Sequence, residues 1–181
     1  MSERFVYTST QDPLAKPLFD GLEREYSTRY ADVHARIGGT ARQELERYPP
    51  SAFALPDGAF LLLLRHGQAI GGGAFMRHAD ADTAEFKRIW TRDDLRRQGI
   101  AERIMEELES RALQQGYRRI YLTTGFRQPE AKGLYLKHGY TPLFDLDADP
   151  EVVLHLAFEK HLSPPANALG APRAAQQRSR A

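Results

Sequence analysis

The segment Arg96-Arg97-Gln98-Gly99-Ile100-Ala101 is where residue type and spacing first suggest chemistry. It lies where a β-rich stretch hands over to a helical pattern. Gly99 permits close backbone approach, and the first turn of a helix leaves several N–H groups unpaired and pointing outward. Such a site suits a phosphate, and Arg92, Arg96 and Arg97 add positive charge beside it. The plain alternative is a surface loop with solvated arginines. No Gly-Lys-Ser/Thr follows, so this is not a Walker loop, and only one of the three glycines of the dinucleotide fingerprint is present.

The elements that must position this loop can be read from periodicity. A strand from Thr83 to Thr91 precedes it. Apolar residues at Ala101, Ile104, Met105, Leu108 and Ala112 fall on one helical stripe, with Gly116 as a cap. Arg118 to Thr124 is β-rich, so strand, helix and strand make a right-handed βαβ crossover with parallel strands. Gln128-Pro129 then opens a helix carrying Ala131, Leu134, Tyr135 and His138 on one stripe, with Gly139 past its end. Upstream, Phe5 to Thr10 begins as a strand, and Asp12-Pro13 starts an amphipathic helix of Leu14, Leu18, Leu22 and Tyr26 that runs to about Tyr30. A second helix spans about Thr40 to Tyr48. Ala59 to Arg65 and Gln68 to Arg77 form a hairpin turning at His66-Gly67. Gly71, Gly72 and Gly73 sit inside this strand pattern, where a bulge or close backbone approach explains them. Tyr140 to Phe144 and Val152 to Phe158 complete an antiparallel pair.

With these residues placed, the chain resembles the GNAT superfamily of acyl-CoA-dependent N-acyltransferases. That family's pyrophosphate loop, Arg/Gln-x-x-Gly-x-Gly/Ala, is matched by Arg96, Gly99 and Ala101, and its preceding strand by Phe86-Lys87-Arg88-Ile89-Trp90-Thr91. Downstream, its Asn-x-x-Ala-x-x-Leu-Tyr-x-x-x-Gly-Phe pattern is matched by Gln128, Ala131, Leu134, Tyr135, Gly139 and Tyr140, with glutamine for asparagine and tyrosine for phenylalanine. The resemblance implies an α/β (α+β) fold: a mixed, mostly antiparallel sheet of six to seven strands with a central parallel βαβ unit and helices on both faces. One domain is expected over residues 1–162, followed by a disordered Ala/Pro/Arg tail over 163–181.

The resemblance also implies roles. Acetyl-CoA would be the cosubstrate, without a metal. Its pantetheine arm and acetyl carbonyl would lie on Ile89, Trp90 and Thr91, and its pyrophosphate on the loop of Arg96, Arg97, Gln98, Gly99, Ile100, Ala101 and Glu102. Gln128 would reach the arm. Tyr135 would be the general acid that protonates the departing sulfur; without the motif it reads as a packed aromatic. The attacking amine must be neutral, and Glu85 is the first choice for its base, although a strand-face pair with Lys87 explains it equally. Glu25 is a second choice, a water relay is a third route, and Thr123 stands where some relatives place a catalytic glutamate. Tyr26, Arg29 and Tyr30 would border the acceptor, with Arg29 able to hold a carboxylate; a solvated helix end accounts for them as well.

Composition narrows the field. A chain of 181 residues argues for one domain, and 41% hydrophobic with 27% charged residues for a soluble globular class. Basic and acidic residues number 25 and 24, which disfavours a nucleic-acid binder. The segment after Leu162 holds three arginines and no acid, so residues 1–162 carry 22 basic and 24 acidic groups. There is no cysteine, hence no disulfide, thiolate metal site or cysteine nucleophile. The six histidines show no metal-binding spacing. No apolar run suits a signal sequence or membrane span, and a cytoplasmic setting is expected. The expected activity is acetyl transfer from acetyl-CoA to a primary amine of a small molecule by direct attack in a ternary complex. The alternatives are an N-terminal or lysine protein acetyltransferase and a catalytically silent acyl-CoA-binding module. A homodimer stays open.

Overall fold

The computed structural model describes residues 3–163, so the tail expected over 163–181 lies, after its first residue, outside the described residues. The strands are β1 (Glu3–Tyr7), β2 (Ala59–Arg65), β3 (Gln68–Arg77), β4 (Thr83–Thr91), β5 (Arg119–Gly125), β6 (Thr141–Pro142) and β7 (His155–His161). The helices are α1 (Lys16–Arg29), α2 (Ala31–Ile37), α3 (Ala41–Glu46), α4 (Ile100–Gln114), α5 (Pro129–Lys137) and α6 (Pro150–Val153). Among the described residues no helix is long and apolar enough to cross a membrane.

The continuous apolar run of β2 is explained by burial on both faces. Ala59, Leu61 and Leu63 join one core with α4 and Tyr135 of α5, while Phe60, Leu62 and Leu64 join another with α1 and α3. The seven strands follow the order β1-β2-β3-β4-β5-β7-β6, all antiparallel except β4 with β5, which α4 connects. The hairpin turn uses His66 at φ 52° and Gly67 at φ 78°, the left-handed pair that a two-residue connection favours.

Two irregularities shape the functional face. In β3 and β4 the register runs Gly72↔Trp90 and then Ala74↔Lys87, so Arg88 and Ile89 stand opposite Gly73 alone. This is a β-bulge, and Arg88 takes φ 61° to make it. The glycines opposite let other groups in: a Cβ at Gly73 would meet Ile89 Cδ1 at 2.6 Å and Leu108 Cδ1 at 3.0 Å. The second irregularity is a splay. β4 and β5 pair from Thr83↔Arg119 to Phe86↔Leu122 and then part, while β5 continues against β7 as far as Gly125↔His155.

Some boundaries differ from the periodicity. The first helix ends at Arg29, and α2 follows after Tyr30. Val152 and Val153, expected to begin the last strand, lie in α6 instead, because Asp149-Pro150 is a helix start: the Asp149 carboxylate accepts from Glu151 N at 2.9 Å. The strand expected from Tyr140 shrinks to Thr141–Pro142, where proline removes a ladder donor.

Candidate functional site

Where β4 and β5 part, a cleft of about 630 Å³ opens between β4, the N-terminal end of α4 and α5. Of the residues expected to hold acetyl-CoA, Ile89, Trp90, Thr91, Arg96, Arg97, Gly99, Ile100, Ala101, Glu102, Gln128 and Tyr135 line it; Gln98 does not. Beyond Phe86, the edge of β4 that faces β5 has no strand partner. Gly99 occupies the N-cap of α4 at φ 75°, and no side chain caps this helix. A Cβ added at Gly99 would meet nothing within 4 Å, so it would project into open space. Thr91 Oγ1, on a cleft residue, is buried without a hydrogen-bond partner, whereas the equally unpartnered Trp90 Nε1 is packed against Gly21 of α1, where a Cβ would fall 2.3 Å from it. Uncapped helix N–H groups, a glycine at the turn and an unpartnered hydroxyl at the end of β4 fit an extended ligand that carries phosphates.

The three arginines of the loop divide. Arg92 pairs with Asp94 at 2.7 Å and does not line the cleft. Arg96 is held by Glu25 at 2.9 Å and Asp93 at 2.8 Å. Arg97 has no ion pair among the described residues, and its φ of 61° sits in the turn just before Gly99. The positive charge left for an anion therefore comes mainly from Arg97 and the helix end, and Glu25, once a second-choice base, is the partner of Arg96 and Arg29.

Tyr135 projects from α5 into the cleft with its ring against Phe158 and Tyr140, at centroid distances of 5.4 and 5.9 Å. Burial pushes its phenol above the ordinary value, so it stays protonated. Gln128 Oε1 accepts the Thr124 hydroxyl at 2.6 Å, which fixes the amide at the junction.

A second cavity of about 550 Å³ lies on the other side of the splay, walled by α2, α3 and the strand ends. Tyr26, Phe86, Lys87, Arg88, Thr123, Thr124 and Gln128 line both spaces, so the two meet where β4 leaves β5. Tyr26 and Tyr30, the residues expected to border an acceptor, line this cavity. Burial pushes Tyr26 up to about 12. Helix α3 contributes Glu44, Leu45 and Tyr48 is just beyond it; none of the three was anticipated, since a short helix between variable segments carries no motif.

Two expected residues are not brought to the junction. Glu85 lines neither space; its carboxylate takes Lys87 Nζ at 2.7 Å, the strand-face pair, with side chains only 15% and 19% exposed. Arg29 also lines neither. Its guanidinium donates to the Arg127 carbonyl at 2.6 Å and to both Glu130 oxygens at 2.9 and 3.2 Å, leaving little for a substrate carboxylate. The loop after β5 is packed tightly on the same corner: a Cβ at Gly125 would fall 2.0 Å from the Tyr30 hydroxyl.

Comparison with known proteins places this architecture. The model of the acetyltransferase (GNAT) family matches residues 18–140, and the chain belongs to that family. Its sheet and crossover are the GNAT-like fold, shared with solved structures of low sequence identity. An assigned acyl-CoA N-acyltransferase of Klebsiella pneumoniae is 23% identical, with a TM-score of 0.67 over 89% of this chain and 98% of that one. A GNAT-family acetyltransferase of Staphylococcus aureus is 14% identical, with a TM-score of 0.65 over 90% and 100%. The PaiA N-acetyltransferase of Thermoplasma acidophilum, solved in complex with coenzyme A, is 16% identical, with a TM-score of 0.61 over 90% and 100%. No curated protein matches the chain.

Proposed function

We propose that the protein is an N-acetyltransferase that moves the acetyl group of acetyl-CoA to a primary amine of a small molecule, with both substrates bound at once. The observation that carries this reading is the meeting of two cavities at the splay, one lined by the loop and α4, the other by α2 and α3. Coenzyme A in the Thermoplasma relative supports the choice of donor. The second cavity, at about 550 Å³, is of a size for a small ligand.

Acetyl-CoA supplies an acyl group activated as a thioester. The first-turn N–H groups of α4 and Arg97 hold the pyrophosphate. The unpaired edge of β4 after Phe86 receives the arm and offers an N–H to the carbonyl oxygen as charge develops on it, worth roughly 3 kcal/mol. The amine nitrogen attacks the acetyl carbon, an N–C bond forms and the C–S bond breaks. Tyr135 gives its proton to the departing sulfur and recovers one from the acetylated nitrogen. A thiol with a pKa near 8.5 leaves tolerably without help, so this acid accelerates rather than enables the step. The incoming ammonium loses its first proton to water in the acceptor cavity, because Glu85 lines neither cavity and is engaged by Lys87. With no cysteine and no Ser/His/Asp arrangement, direct transfer is the simplest scheme.

A peptide acceptor would need an open groove between the first helices and the 144–152 loop. Arg127 bridges that gap by pairing with Asp32 of α2 and, at 3.3 Å, with Glu151 of α6, which favours a small acceptor. The test is release of free CoA thiol by the purified protein given acetyl-CoA and polyamines, amino acids, aminoglycosides or N-terminal peptides. Release with small amines and not with peptides is expected; release only with peptides would transfer the acceptor to the protein class.

A further inference from the structure

Arg88 is a cationic group at the junction on which the Glu44 carboxylate acts only at longer range. Lys87 is engaged by Glu85 at 2.7 Å, and Arg96 by Glu25 and Asp93. Arg88 has the Leu45 carbonyl and two aromatic faces, Phe53 at 4.3 Å and Phe19 at 5.3 Å, and it forms no ion pair among the described residues. Its five donors exceed what one carbonyl can use. A half-buried guanidinium with no ion pair is costly to keep, and burial lowers its pKa although Tyr26, Glu44 and Tyr48 act in the other direction. The backbone contributes to this placement: Arg88 is the bulge residue, held at φ 61°, a conformation uncommon for a residue with a side chain and concentrated at functional sites. It lines both cavities.

The acceptor cavity as a whole leans the same way. Its wall carries Arg36, Lys87 and Arg88 against one acid, Glu44, which lies 3.8 Å from Arg47. That balance opposes the slight acidity of residues 1–162. The wall also carries the aromatic rings of Tyr26, Tyr30, Tyr48, Phe86 and Phe126.

We infer that Arg88 is the specificity residue for the acceptor, and that the acceptor is a small amine bearing a carboxylate and an aromatic or apolar body, such as an α-amino acid. This inference rests on the acetyl-transfer reading above. The guanidinium takes the carboxylate in a bidentate pair, the aromatic wall takes the body, and the amine is presented to the splay. The role first expected of Arg29, at the end of α1, falls to Arg88 of β4.

The experiment compares kcat/KM for pairs that differ only in the carboxylate, phenylalanine with phenethylamine and tyrosine with tyramine, on the wild type, Arg88→Gln and Arg88→Lys. The wild type is expected to prefer the carboxylate-bearing member roughly 10- to 100-fold. Arg88→Gln should collapse that ratio, and Arg88→Lys should restore part of it. Equal use of both members by the wild type, or an equal loss for both in Arg88→Gln, would overturn the inference and make Arg88 a packing residue. Acetyl-CoA binding without acetylation of either set would overturn the acceptor class alone. Failure to bind acetyl-CoA would overturn the proposed function as well.

Discussion

Arg29 and Arg127 hold each other by reciprocal bonds: Arg29 Nη1 donates to the Arg127 carbonyl at 2.6 Å, and Arg127 Nη1 donates to the Arg29 carbonyl at 3.0 Å. Each guanidinium then spreads to acids, Arg29 to Glu130 and Glu25, Arg127 to Asp32 and Glu151. The end of α1, the start of α2, the loop after β5 and α6 are thereby clasped beside the second cavity, which Tyr30, Val33, Phe126 and Leu154 of these segments line.

Arg127→Ala should open this clasp. The expected result is a severalfold rise in acceptor KM with acetyl-CoA affinity unchanged, read by steady-state kinetics beside calorimetry. Arg127 holds the Asp32 carboxyl down to about 2, so Asp32 is ionised and the pair persists above the ordinary carboxylate range. That contribution is lost as pH falls from about 4 towards 2. Acceptor KM that ignores Arg127 would detach the clasp from binding.

Gly99 separates backbone from charge. Gly99→Ala meets no neighbour, so it costs only the left-handed strain of about 1–2 kcal/mol. Gly99→Asp adds a negative charge at the α4 N-terminus where a pyrophosphate would sit, and CoA affinity should drop more than about tenfold below that of the alanine variant. Calorimetric titration of both variants with CoA checks this; equal affinities would remove the loop from the site.

Tyr135→Phe keeps the ring that packs on Phe158 and removes only the hydroxyl. Turnover should fall about 10- to 100-fold, the low end for a general acid because the thiol leaves readily, with CoA affinity unaltered. A variant as fast as the wild type would return Tyr135 to the core.

Burial raises the phenols of Tyr7, Tyr26, Tyr30, Tyr117, Tyr135 and Tyr140 above their ordinary value. Because these folded-state values lie above the unfolded one near 10, their contribution is intact below pH 10 and is lost progressively as pH rises above it. Phenolate absorbance and circular dichroism should therefore change together in a cooperative step above pH 10. Independent titration of the tyrosines with the fold intact would contradict their burial.

Much of this layout was legible in the sequence, for local reasons. The period of Ile104, Met105, Leu108 and Ala112 gave α4, the Gly116 and Gly139 caps ended two helices, and the loop residues from Arg96 to Glu102 reached the cleft except Gln98. What escaped was non-local. The glycine run signalled a bulge or close approach, but the extra residue at Arg88 on the facing strand follows from a register that no local pattern encodes. Whether Arg29 or Glu85 is free for substrate depends on Glu130, Arg127 and Lys87 arriving from elsewhere or sharing a strand face, so residue type alone could not decide it. Asp149-Pro150 was a readable helix start that the β-branched Val152-Val153 obscured.

The most direct test of the account is a mass spectrum of a small amine incubated with acetyl-CoA and the protein. The account predicts a product acetylated on nitrogen, formed only when amine and acetyl-CoA are present together, with no acetyl group left on the protein when the amine is omitted. A stable acetyl-protein, or CoA binding with no acetylated amine from any member of the panel, would contradict direct transfer at the splay.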